Sequence, residues 1–202
     1  MLDELQKIRE EKLEKIQAFG MDPFPSKVPR DFSVADITQS FAEKKDAGIP
    51  VSIAGRVMAI RGQGAIMFVV LDDGTGKFQA VFKKDEIEES LFSLFTDTVD
   101  MGDVISVTGT LFTTERGQDS ILVTAWTMAT KSLLPLPDKW NGIADEDERF
   151  RKRYLDMLMN PELRELLLKK GIFWDTTRRF MKEHGFAEVE TPTLEVTTGG
   201  AE

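Results

Sequence analysis

Apolar residues fall along the chain in three different rhythms. Over residues 2–19, Leu2, Leu5, Ile8, Leu13 and Ile16 recur every three to five positions among charged residues, the spacing of one helical face. Gly20 follows, where a left-handed residue without a Cβ closes a helix. Pro23-Phe-Pro25 then demands extended backbone, and residues 26–50 read as a connector with one short helix around Val34 to Lys44.

From Val51 the rhythm shortens to that of strands. Residues 51–60, 65–72 and 77–82 are rich in β-branched and aromatic side chains, and Arg61-Gly-Gln-Gly64 and Asp73-Gly-Thr-Gly76 separate them as turns. A helical interval is predicted at Asp85 to Phe95. Two further strands, 104–113 and 120–130, flank a turn at Glu115-Arg-Gly117. Three strands, a helix and two strands in about 80 residues is the order of the five-stranded OB barrel, whose open face takes oligonucleotides.

The third rhythm is again helical. Asn160-Pro161 opens it with proline where a missing N–H costs nothing, and Leu163, Leu166, Leu167, Ile172, Phe173, Phe180 and Met181 recur up to His184. Gly185-Phe-Ala-Glu-Val-Glu-Thr-Pro192 should turn back as a short strand. The divisions expected are 1–50, helix and connector; 51–130, OB barrel; 131–148, a linker marked by Pro135, Pro137 and Asp145-Glu-Asp-Glu148; and 149–202, the start of a further domain. The fold class expected is therefore mainly β plus α.

Charge narrows the functional classes. The net charge of −9 argues against a nonspecific nucleic-acid coat, because phosphate affinity comes from clustered cations. Residues 149–184 nevertheless hold ten basic and five acidic side chains, whereas 51–130 hold six and eleven. An RNA contact in the middle region must rest on a few placed side chains. The chain has no cysteine, and neither an apolar leader nor a run near the roughly 18 residues of a membrane span, so a cytoplasmic protein with no membrane partner is expected.

Single-stranded bases are held by stacking on aromatic rings and read by hydrogen-bonding side chains. Phe68 and Phe78 lie in strands two and three, Gln79 follows Phe78, and Arg61 precedes strand two. A strand Phe usually packs inward, so by pattern each is either core or contact. Phe78, opposite in facing to Gln79, is assigned to the core. His184, at a helix C-terminus, reads as structural. Glu188, Glu190 and Glu195 lack His or Asp partners and read as exposed carboxylates, so no catalytic or metal-binding residue is assigned.

The helix running into Gly185 and Pro192, with Arg153-Tyr-Leu-Asp156 before it and Gly199-Gly-Ala201 after it, resembles motif 1 of the class II aminoacyl-tRNA synthetases, and among them the lysine enzymes. Phe68-Val-Val-Leu-Asp-Asp73 followed by Lys77-Phe-Gln79 is similar to the anticodon-reading surface of the lysine, aspartate and asparagine enzymes. The resemblance implies an OB-fold anticodon-binding domain followed by the first helix and strand of a class II catalytic domain. It implies that Phe68 stacks on the central anticodon uridine, that Arg61 and Gln79 hydrogen-bond to it, and that Gly200 contacts the lysine substrate.

Gln118 stands where these enzymes commonly carry a Glu, and Ile60 where they commonly carry a second basic residue; Gln118 keeps the hydrogen bonding but not the charge. Further implications are a homodimer, tRNA and lysine as partners, and ATP with Mg2+ bound outside these residues, leaving this 202-residue chain inactive alone. Two other classes fit parts of the pattern: an aspartate- or asparagine-type enzyme, disfavoured by Gly-Gly-Ala, and a standalone OB nucleic-acid-binding module.

Overall fold

The computed structural model describes residues 2–137 and 142–192, and the chain divides into two compact units, Met1–Leu136 and Pro137–Glu202. In the first unit, α1 (Leu2–Ala18) buries Ile16 and packs on α4. It ends at Gly20, φ +88°, with Gly20 N–H donating to Gln17 and Met21 N–H to Ile16. That pair of bonds satisfies two carbonyls left open by the last turn.

The connector holds two helices where one was expected. Ser33 and Asp36 form a reciprocal cap at the start of α2 (Val34–Gln39). The Ser40 hydroxyl then donates to the Asp36 carbonyl at 2.6 Å. This side-chain bond competes with the helical ladder, and the chain restarts as α3 (Phe41–Ala47).

Five strands close into a barrel in the order β1-β2-β3-β5-β4: β1 (Val51–Gln63), β2 (Ile66–Asp72), β3 (Lys77–Lys83), β4 (Val104–Thr113) and β5 (Asp119–Thr130). All neighbours are antiparallel except β3 and β5, which run parallel and complete the ring. Closure leaves no exposed edge to template aggregation. The long β1 serves two partners, β4 through residues 51–56 and β2 through 56–63, with a bulge between Val57 and Ala59. A second register shift lies at Thr108/Gly109 in β4. A Cβ at Gly109 would overlap the Leu122 carbonyl oxygen, so glycine there is what lets β4 and β5 meet.

The expected five strands thus form, with one consequential shift: β1 runs on through Gln63, so Arg61 lies in a strand rather than in the turn. The predicted helix at 85–95 forms later, as α4 (Glu89–Thr98). It closes one end of the core. Phe82 stacks on Phe95 with ring centroids 4.0 Å apart, Phe95 meets Trp126 edge-on at 5.6 Å, and the Trp126 indole donates to the Leu91 carbonyl.

A polar knot ties α1, the turn after α4 and the residues after β5. Lys131, with its side chain fully buried, donates to Asp103 at 2.8 Å, Asp100 at 2.7 Å and the Thr98 carbonyl at 2.8 Å. Lys12 reaches Asp100 at 2.6 Å, and Arg9 donates to the carbonyls of Met101, Ser132 and Leu134. Burial pushes the Asp100 carboxyl up, but the bonds from Lys12 and Lys131 outweigh it and hold the group below the ordinary carboxylate range. Residues 131–136 therefore belong physically to the first unit, although Pro135 punctuates like a linker.

The second unit consists of α5 (Glu146–Arg151), α6 (Arg153–Met159) and α7 (Pro161–Glu183). Asp145 and Asn160 cap α5 and α7, each accepting the N–H three residues on. Arg149 and Arg153 converge on the buried Asp156, while Arg151 and Lys152 pair with Asp147 and Glu148. After α7 no strand forms in residues 186–192, against expectation. A strand is held by a neighbour's backbone, and the described residues offer none here. Glu188 instead folds back to Lys182 and Arg178 of α7, and those bonds, Lys182's first, lower its pKa. His184 Nδ1 lies 2.8 Å from the Phe180 carbonyl, and its ring stacks on that of Phe180.

Candidate nucleic-acid interface

Alternation along β2 and β3 sorts their side chains between the barrel interior and one outer face. Val69 and Leu71 are fully buried, while Phe68, 36% exposed, points outward. On β3, Phe78, Ala80 and Phe82 point inward, Lys77, Gln79 and Lys83 share the outer face, and Val81, on the same side by alternation, is buried. Phe78 is core, as its opposition to Gln79 required.

Strand register assembles the outward set. Arg61 of β1 is the direct cross-strand partner of Phe68, and Phe68 in turn is the partner of Val81. Gln79, two residues before Val81, is then a diagonal neighbour of Phe68, about 7–8 Å away between backbones and within reach of long side chains. The extension of β1 is what brings Arg61 beside the ring. Arg61 is exposed, and no carboxylate pairs with it among the described residues. Lys83 and Arg116 likewise have no carboxylate partner among the described residues.

Barrel closure adds a contribution from β5. The parallel pairing sets Gln79 against Ser120, and Gln79 Nε2 donates to Ser120 Oγ at 2.9 Å. Ser120 Oγ donates onward to the Gln118 carbonyl at 3.1 Å, which also accepts the Thr114 N–H at 2.9 Å. Gln118, exposed at the end of the β4–β5 turn, donates its amide to the Asp119 carbonyl at 3.3 Å. Four expected residues, Arg61, Phe68, Gln79 and Gln118, thus converge on one face. Gly200 lies outside the described residues.

Ser120 and the half-buried Phe112, its partner on β4, were not anticipated. A serine in the strand Asp119-Ser-Ile-Leu-Val123 carries no local signal; only the closed ring puts it beside a residue 41 positions away. In chemical terms the face offers an exposed aromatic side chain, an exposed arginine paired with it across the strands and a half-buried amide. Together these can stack on an unpaired base and bond to its edge.

A family profile described as OB-fold nucleic acid binding domain matches residues 51–129, and one described as tRNA synthetases class II (D, K and N) matches residues 145–202. The lysine–tRNA ligase of Roseiflexus castenholzii is 39% identical over 201 residues, covering 99% of this chain and 41% of its own. That of Clostridium perfringens strain SM101 is 41% identical over 201 residues, covering 99% and 40%, and that of Thermosynechococcus vestitus 39% identical over 206, covering 98% and 41%. Over nearly its whole length the chain is similar to lysine–tRNA ligases.

The chain spans about two fifths of the length of these ligases. Both profiles meet the structure where it divides, the first within the barrel unit and the second across the helices from Asp145 on. Among the described residues no three or more His, Asp or Glu side chains gather as a metal site, and no helix is long and apolar enough to cross a membrane.

Proposed function

We propose that the barrel reads the anticodon loop of a lysine tRNA for a ligase that joins lysine to that tRNA in an ATP-dependent reaction. The observation that carries this reading is the cross-strand pairing of Arg61 with an outward Phe68, with Gln79 diagonal to Phe68 on the next strand. Phe68 stacks on the central uridine, Arg61 and Gln79 bond to its edge, and Gln118 meets a neighbouring nucleotide from the β4–β5 turn.

The remaining parts of the reading concern the whole ligase. Gly200 contacts lysine, the apolar side of α7 meets a second copy in a homodimer, and the protein works in the cytoplasm. ATP and Mg2+ act at groups that the described residues do not supply, and no step of activation is assigned to this chain. Barrel and helices have separate tasks here, recognition and assembly.

Titrating the 202-residue chain with a lysine-tRNA anticodon stem-loop tests the proposal. Saturable binding is expected that weakens as salt rises, with a shallow dependence because the face holds few cations. A stem-loop with the same stem and an unrelated loop sequence should bind several-fold more weakly. Equal affinity for both loops would contradict anticodon reading.

A further inference from the structure

Ser120 is a hydroxyl with 0% exposure set among the residues that would meet a base. Its single proton decides more than its own bonding. The Gln118 carbonyl can only accept, and Ser120 Oγ–H donates to it. Ser120 therefore faces Gln79 with lone pairs alone. The group it meets there must be a donor, and Gln79 Nε2 fills that place at 2.9 Å. Turning the amide over would set Oε1 against Oγ, two acceptors, unless the serine proton left the turn carbonyl.

We infer that Ser120 is a positioning residue that fixes the orientation of the Gln79 amide and so selects bases presenting a ring N–H beside a carbonyl, as uracil does, over bases presenting a ring acceptor beside an amino group, as cytosine does. The inference rests on the reading of this face as an anticodon-binding surface. With Nε2 turned to Ser120, Gln79 Oε1 has no hydrogen bond among the described residues. It can accept from the uracil N3–H while Arg61 donates to a uracil carbonyl. Cytosine offers N3 as an acceptor to the same oxygen, an unfavourable meeting. An unanchored amide could rotate, offering N–H to cytosine N3 and Oε1 to its amino group.

Ser120 is thus distinct in role from the residues that touch the base. Phe68 supplies stacking that every base can use, whereas Ser120 acts only through the orientation of Gln79. Its loss should alter which base is preferred and leave stacking in place. The Ser120–Gln118 bond also links that preference to the β4–β5 turn, since the serine proton can turn to Gln79 Oε1 only by leaving the Gln118 carbonyl.

The test compares stem-loops carrying uridine or cytosine at the central anticodon position, titrated into the native chain, Ser120→Ala and Ser120→Thr, with thermal melts to verify folding. Ser120→Ala is expected to reduce the uridine-over-cytosine preference about tenfold, the scale of one good base-edge contact, mostly through gained affinity for cytosine. Ser120→Thr, which keeps the hydroxyl, should retain the preference. An unchanged preference in Ser120→Ala, or equal weakening toward both loops, would overturn the role.

A native chain that binds neither loop, or both equally, would instead remove the anticodon reading itself. Should Ser120→Ala not fold, the native chain still decides. Nuclear Overhauser contacts from both Gln79 side-chain amide protons to Ser120 Hβ, with slowed amide exchange, are expected, and a freely exchanging amide would overturn the role.

Discussion

The barrel and α7 are written with similar fractions of apolar residues, yet they use them in opposite ways. In the barrel unit, Val57, Val69, Leu71, Phe82, Ile105, Ile121 and Val123 are sealed from water by partners brought together over long sequence distances. Along α7, Leu166, Leu168, Ile172, Phe173 and Phe180 are each more than half exposed, and no residue of the helix is buried. An amphipathic pattern states that a face will be covered. It does not state by what. Strand alternation in a closed ring supplies its own cover, whereas a single long helix with an apolar stripe depends on another surface.

The sharpest way to break this contrast is to remove equal side chains from both places. Phe95→Ala in the barrel, where the ring stacks on Phe82 and meets Trp126, should lower stability by about 3–5 kcal/mol in urea melts. Phe173→Ala, whose ring is 62% exposed, should change the same melt by about 0.5 kcal/mol or less. Equal losses would show that α7 is packed in solution.

Next in size is Lys131→Met, which leaves the fully buried Asp103 carboxylate without its cation. A cost of about 3 kcal/mol or more is expected. The smaller effect of Asp100 shows in pH. Its folded pKa lies below the unfolded value near 3.9, so between the two the unfolded chain binds the extra proton and stability rises with pH. The contribution is complete above about pH 5 and is lost as pH falls through the folded value. Asp100→Asn should flatten that acid limb of a stability–pH curve. A limb of unchanged steepness would locate the titration elsewhere.

The least effect on folding, but a clear one on assembly, is expected at α7. Sedimentation should show concentration-dependent association that Phe173→Glu and Trp174→Glu weaken. A strict monomer at high concentration with α7 intact would show that the exposed stripe takes no second copy.

The same division explains what could be read from residues alone. Period and punctuation predicted the barrel strands, α1 with its Gly20 stop, and α7 with its Asn160-Pro161 start, because each is set by near neighbours. The break at Ser40 was missed because a hydroxyl reaching back to Asp36 competes with an otherwise continuous helical pattern. The run-on of β1 was missed because Gly62 and Gly64 punctuate like a turn, although only the second ends the strand. Residues 186–192 read as a strand from alternation, but a strand exists only where a neighbour pairs with it. At the face, Phe68, Gln79 and Arg61 were legible through resemblance and adjacency. Ser120 was not, since its place depends on the parallel closure of β3 on β5.

The proposed stacking of a base on the outward Phe68 is tested by titrating a lysine-tRNA anticodon stem-loop into the native chain and Phe68→Ala. Because the ring is outward and contributes little to the core, the variant should melt within about 0.5 kcal/mol of the native chain. Its affinity for the stem-loop should fall by about 1–3 kcal/mol, the worth of one stacked base. Unchanged affinity in a folded Phe68→Ala would contradict the claim.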